Sequence, residues 1–106
     1  MTDKLGTILE ELRNRFRGLY GERLVQMILY GSQARGDGDT ASDVDMLVVL
    51  RGPVAPGEEI SRTSEIVADI SLRNSVVLSC VFLDEETFVR RNGPFLRNVR
   101  REGVPI

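Results

Sequence analysis

Residues 24–50 read LVQMILYGSQARGDGDTASDVDMLVVL, and the interpretation of the whole chain starts from them. An apolar run from Leu24 to Tyr30 stops at Gly31-Ser32, a polar link follows, and a second apolar run begins at Asp43-Val44-Asp45. Runs this continuously apolar predict two strands buried on both faces. Between them, Ser32 to Arg35 predicts a helical turn ended by Gly36, and residues 37–40 (DGDT) have the chemistry of a solvent loop. Successive side chains of a strand point to opposite faces, so Asp43 and Asp45 share a side, with Cα atoms about 6.5 to 7 Å apart. That spacing suits one hard cation, and without a cation each carboxylate raises the pKa of the other. Spacing alone leaves a second reading open, a solvent-exposed strand start at which Asp43 caps the loop.

On the N-terminal side, Leu5, Ile8, Leu9, Leu12, Phe16 and Leu19 recur at helical spacing, predicting a helix capped by Thr2 or Asp3 and stopped by Gly18 and Gly21. On the C-terminal side, Gly52, Pro53, Pro56 and Gly57 end the second strand. A helix over 58–72 follows, with Ile60, Ile66 or Ile70, and Val67 facing the sheet. Residues 75–83 predict a third strand. Asp84 caps a helix over 85–91, Asn92-Gly93-Pro94 breaks it, and a last short helix over 95–102 docks through Phe95, Leu96 and Val99 before Gly103 and Pro105 end it. The fold class is therefore α/β (α+β): a mixed, twisted sheet of three or more strands backed by helices.

The totals set bounds. A chain of 106 residues, 42% hydrophobic and without Trp, predicts one small domain with an aliphatic core, residues 1–106, with a basic segment at 88–106. No apolar run is long enough to span a membrane, and the N-terminus lacks the basic-then-apolar pattern of a signal peptide, so a cytoplasmic location is expected. With one Cys and no His, a disulfide framework, a Cys/His zinc site and a Cys-His nucleophile are all excluded. Cys80 reads as an inert core thiol. The formal charge of −2 argues against bulk electrostatic binding of nucleic acid. It is unevenly spread, with nine basic against fifteen acidic side chains in residues 1–87 and five against one in residues 88–106. Arg90, Arg91, Arg97, Arg100 and Arg101 read first as a solvated helix face, and Phe88 and Phe95 as core anchors.

If Gly31-Ser32 opens a helical turn at a strand end, its free amides and the Ser32 hydroxyl form a small anion site, and the missing Cβ of Gly31 lets a phosphate approach the backbone. A phosphate cradle followed by a pair of metal-binding carboxylates is the equipment of phosphoryl or nucleotidyl transfer.

The run Gly31-Ser32-Gln33-Ala34-Arg35-Gly36, followed by Ser42-Asp43-Val44-Asp45-Met46-Leu47-Val48, resembles the GSxARG and SDxDhhV signature of the minimal nucleotidyltransferase domains of the DNA polymerase β superfamily. The resemblance covers residues 24–50 closely, and the flanking helix and third strand in order and type. It implies a polymerase-β-like fold, magnesium as cofactor and transfer of a nucleoside monophosphate, AMP from ATP, to a hydroxyl. Carried over by position, Gly31 and Ser32 contact the NTP phosphates, while Asp43 and Asp45 are catalytic and bind Mg²⁺. Arg35 either joins the nucleotide site or ties the turn to a carboxylate such as Asp37 or Asp39. Several small members are antitoxins that adenylylate a HEPN-domain toxin, so the resemblance implies a partner of that kind or a second subunit presenting the acceptor. One departure is evident. The family places a third carboxylate on the following strand, but residues 75–83 contain no Asp or Glu. Ser79 is the polar oxygen in the middle of that strand, and its simplest role is a hydroxyl satisfied by backbone within the sheet. A catalytically degenerate module that binds nucleotide or partner therefore stands as the alternative.

Overall fold

The computed structural model describes residues 3–36 and 43–106. Helix α1 (Asp3–Tyr20) leads through a short 3-10 turn (Gly21–Arg23) into β1 (Leu24–Tyr30), and α2 (Ser32–Arg35) follows β1 directly. Strand β2 (Val44–Leu50), helix α3 (Pro56–Asn74) and strand β3 (Leu78–Asp84) form a crossover unit. Two short helices, α4 (Glu85–Arg90) and α5 (Pro94–Glu102), lead to a two-residue strand, β4 (Val104–Pro105). The sheet order is β3-β2-β1-β4. β1 runs antiparallel to β2 and β4, while β2 and β3 are parallel, as the intervening helix requires.

The two sheet faces are covered differently. On one, α1 and α3 bury Leu12, Phe16 and Ile70 against Met27, Leu29, Met46, Val48 and Phe82. On the other, α5 seats Leu96 and Val99 against Ile28, Leu47 and Val49, with Phe88 of α4 beside them. This explains why β1 and β2 read as unbroken apolar runs: both faces are covered in the middle of the sheet.

The helix limits depart from the sequence reading in instructive ways. Gly18 does not stop α1, which continues to Tyr20 and ends at Gly21, where φ is +56°. Leu19 lies on the outer side, 42% exposed. α3 begins at Pro56, a favoured first helical position. Its inward stripe is Glu59, Thr63 and Ile70, with Ile66 and Val67 half-buried, whereas Ile60 is 57% exposed. A glutamate sits inside because it has partners. The Tyr20 hydroxyl donates to Glu59 Oε1 at 2.7 Å, and Arg62 Nε reaches the same oxygen at 3.1 Å. Burial, and then the hydrogen bond it donates to Glu59, push the Tyr20 phenol above its ordinary pKa. Glu59→Ala should lower the unfolding free energy by about 2 to 4 kcal/mol in urea titrations, since it strands the Tyr20 hydroxyl and opens a void. Adding Tyr20→Phe should recover part of that loss, and a wild-type midpoint for Glu59→Ala would refute this account of the brace.

Strand β3 starts three residues later than expected, because Asn74 continues the helix and Ser75 closes it at φ +54°. β4 has no counterpart in the sequence reading. Gly103 and Pro105 end α5 as anticipated, but the chain then pairs Ile28 with Pro105 and Leu29 with Val104. Proline is tolerated there because β4 is an edge strand. Asp84 caps α4 as expected, accepting from the Thr87 backbone N–H at 2.7 Å, and this bond holds its carboxyl below the usual range.

Candidate active site

The geometry centres on the junction of β1 and β2. β1 places Tyr30 directly opposite Asp45, so both side chains lie on the α5 face of the sheet. The chain then turns at Gly31 (φ +78°, ψ −158°) into α2, whose first turn is closed by the Ala34 and Arg35 amides donating to the Gly31 carbonyl. Those dihedrals belong to a region essentially restricted to glycine. Space imposes the same choice, since a Cβ at Gly31 would lie 2.6 Å from Asp45 Oδ2. The Gly-Ser turn and the second carboxylate of the motif are thus in direct apposition, an arrangement the sequence suggested but did not contain.

Asp43 is exposed just ahead of β2, and Asp45 is half-buried within it. The Asp45 carboxyl is pushed up, first by burial and then by the charge of Asp43. Mutual repulsion, the cause expected from spacing, is real but second to desolvation. The Tyr30 phenol is raised too, by burial and then by the Asp45 charge. Ser32 and Gln33 are half-buried beside this corner, while Arg35 is exposed and its Nη1 lies 3.4 Å from Glu102 Oε2 at the end of α5. The alternative ties to Asp37 and Asp39, like Ser42 of the motif, fall outside the described residues. α2 is a single turn, so its dipole is small and any affinity for an anion would rest on its amides and the Ser32 hydroxyl.

The third strand lies beside the carboxylate pair and contributes no carboxylate there. Asp45 pairs in parallel register with Ser79, so the two side chains share a face on adjacent strands. Ser79 is exposed, which corrects the expectation of a hydroxyl satisfied inside the sheet. Asp69 sits on α3 in an ion-pair cluster with Arg15 and Arg73, and Asp84 lies at the far end of β3 as a helix cap. Among the described residues, no group of three or more His, Cys, Asp or Glu is placed to hold a metal ion. Two carboxylates nevertheless fit a magnesium ion that arrives on a nucleotide, because Mg²⁺ is commonly held by one or two carboxylates together with substrate phosphates.

Other features reduce to structural roles. Cys80 points to the α1/α3 side of the sheet, and burial pushes its thiol up to about 12. Arg100 donates to the Phe88, Arg91 and Asn92 oxygens and lies over the Phe88 ring, so it braces α4 against α5. A cleft of about 650 Å³ lined by Gly52, Asp84, Glu85, Glu86 and Arg90 lies at the opposite end of β2 and β3. Its carboxylates, Asp84, Glu85 and Glu86, outnumber its cations, Arg90 and Arg91, and it is remote from the Gly-Ser turn.

Two residues at the site escaped the sequence reading. Hydropathy marks Tyr30 only as the end of a buried strand, although its place immediately before Gly31 puts it one cross-strand step from Asp45. Phe95 reads from the sequence as a core anchor, but it is 42% exposed, with its ring edge-to-face on Tyr30 at 5.3 Å.

Comparison with known proteins agrees with this geometry. The nucleotidyltransferase domain family matches residues 9–100. A chain of Methanocaldococcus jannaschii named as a protein adenylyltransferase is 33% identical over 96 residues, covering 90% of each chain. Among solved structures, a nucleotidyltransferase of Sulfolobus solfataricus superposes with a TM-score of 0.58 at 22% identity, covering 96% of this chain and 75% of its own. A toxin–antitoxin structure with AMP-PNP gives a TM-score of 0.63 at 15% identity, covering 98% and 72%. At those identities the structures establish the fold, while the sequence match carries the relationship. With the Gly-Ser turn set against Asp45 on a mixed sheet and a family match over most of its length, this chain belongs to the nucleotidyltransferase domain family.

Proposed function

We propose that this chain binds a Mg²⁺-nucleoside triphosphate, with ATP as the nucleotide, and transfers AMP to a hydroxyl of a partner protein. The observation that carries the reading is the apposition of Gly31 and Asp45: the turn leaves no room for a side chain between backbone and carboxylate. In this reading Gly31 and Ser32 receive the phosphates, Arg35 flanks them, and Asp43 and Asp45 hold the ion. Bound there, magnesium would offset charge that develops on the phosphate oxygens. In the transfer, the acceptor oxygen forms a bond to the α-phosphorus, the bond from that phosphorus to the β-phosphate bridging oxygen breaks, pyrophosphate leaves, and the proton of the acceptor hydroxyl passes to solvent. The whole of residues 1–106 acts as one unit in the cytoplasm, with the basic segment 88–106 as part of it.

In this reading a partner presents the acceptor. The relatives' name supports a protein acceptor, and a fold neighbour that is a toxin–antitoxin complex is in keeping with a toxin as that protein; a HEPN-type toxin offering a Tyr, Ser or Thr hydroxyl is what the signature resemblance implies. A second copy of this chain is the other candidate. Incubation with α-labelled ATP, Mg²⁺ and a partner recovered by pulldown tests the proposal. Label should pass to the partner, and complete toxin neutralisation by an Asp43→Ala, Asp45→Ala double variant would sink the catalytic reading.

One observation favours a second reading, a binding module without turnover. Ser79 stands in register with Asp45 where the family has a carboxylate, and a hydroxyl is a poor ligand for a hard cation. Ser79→Asp separates the two. If this site turns over, the variant should raise Mg²⁺-dependent transfer by about tenfold or more. In either case Mg²⁺ should raise its melting temperature more than that of the native chain, because binding to the folded state alone stabilises it. An unchanged response to Mg²⁺ would show that Ser79 does not face the metal position.

A further inference from the structure

We propose that Phe95 is the platform on which the nucleotide base stacks. The inference rests on the nucleotide reading of Gly31, Asp43 and Asp45, and adds to it the side chain that receives the other end of the substrate.

The observations begin with α5. Leu96 and Val99 dock this helix, at 5% and 2% exposure, and they are sufficient to seat it on Ile28, Leu47 and Val49. Phe95 contributes little to that seating. It is the only aromatic among the large exposed apolar side chains of the described residues. Yet its position is well determined: Gly93 and Pro94 set the start of the helix, and the ring rests edge-to-face on Tyr30, with 86° between the planes. An edge-on contact leaves a face of the Phe95 ring uncommitted.

That ring stands on the side of the sheet that carries Asp45. Tyr30 pairs with Asp45 across β1 and β2, so Phe95 is one cross-strand step and one ring contact from the carboxylate that closes on Gly31. A ribose and an α-phosphate cover a similar reach between a base and a phosphate-bound ion. The ring itself is 42% exposed on this side of the sheet, so solvent reaches it. A flat apolar base fits a free aromatic face, whereas a triphosphate gains nothing from it. Stacking alone reads area more than hydrogen-bonding edges, so ATP and GTP should bind more tightly than CTP and UTP.

The test separates the two ends of the substrate. Mg²⁺-ATP and Mg²⁺-tripolyphosphate are titrated calorimetrically into the native chain and into Phe95→Ala. Base stacking on an aromatic is worth about 1 to 3 kcal/mol, so Phe95→Ala should weaken ATP by about tenfold and leave tripolyphosphate within about twofold. Loss of neither ligand, or equal loss of both, would overturn the proposal; the first outcome would leave Phe95 to an acceptor protein instead. Since the chain contains no Trp, Phe95→Trp provides a second readout in a variant that keeps the ring. Its fluorescence should be quenched by ATP and not by tripolyphosphate, and an unquenched signal at saturating ATP would count against stacking even if Phe95→Ala failed to fold. If native protein does not bind Mg²⁺-tripolyphosphate, the nucleotide site itself is wrong, and the base platform falls with it.

Discussion

Asp45→Asn should abolish AMP transfer, by more than about a hundredfold, and weaken Mg²⁺-ATP by at least about tenfold while leaving the fold intact. The reason is the difference between what this carboxylate does with and without substrate. In the free chain it is half-buried beside Asp43, and both burial and that neighbour disfavour its charge. Replacing it by a neutral isostere therefore removes a repulsion, and the melting temperature of the free variant should match or exceed that of the native chain. With Mg²⁺-ATP bound the balance reverses, since the proposed ion loses one of its two protein carboxylates. Calorimetry together with thermal denaturation, each with and without Mg²⁺-ATP, checks both halves. Native affinity for Mg²⁺-ATP in the variant would show that Asp45 does not hold the ion.

Gly31→Ala should cost both stability and binding. The backbone conformation at Gly31 is nearly closed to other residues, at about 1 to 3 kcal/mol, and the new methyl would meet Asp45 Oδ2 at 2.6 Å. Either the turn or the carboxylate must move, and both belong to the proposed phosphate and metal seat. Gly36→Ala is the matched control. Gly36 also has positive φ, at +76°, but a Cβ there meets no heavy atom of the described residues within 4 Å. It should lose about 1 to 2 kcal/mol from backbone strain and keep native affinity for Mg²⁺-ATP. If Gly31→Ala and Gly36→Ala lose stability equally and both retain the nucleotide, contact with Asp45 is not what Gly31 is for.

The elements of this chain were legible wherever a local pattern carried them. β1, α2 and β2 have the limits read from hydropathy and from the glycines at 31 and 36, because a strand covered on both faces must be apolar throughout. The motif residues could be picked out for a related reason: turn chemistry and carboxylate spacing are properties of a few consecutive residues. Ile60 and Glu59 show where such reasoning stops. Hydropathy favours burying the isoleucine, but the helix turns the glutamate inward because the Tyr20 hydroxyl of α1 waits there to bond it, with Arg62 of the same helix beside it, and a partner as distant in sequence as Tyr20 is invisible in a local window. β4 was hidden for a similar reason, since two residues ending in proline have no period and become a strand only when β1 offers an edge.

The same distinction applies at the site. Asp43 and Asp45 were recognisable in the linear chain as two like charges on one side of a strand, and Gly31-Ser32 as a turn able to receive phosphate. That Gly31 lies against Asp45, that Ser79 occupies the neighbouring position on β3, and that Tyr30 and Phe95 border the same corner all depend on strand register and helix docking. Register is set by burial summed over the whole sheet, a quantity no single segment contains. Local chemistry names the groups available for nucleotide transfer, and tertiary packing decides which of them meet.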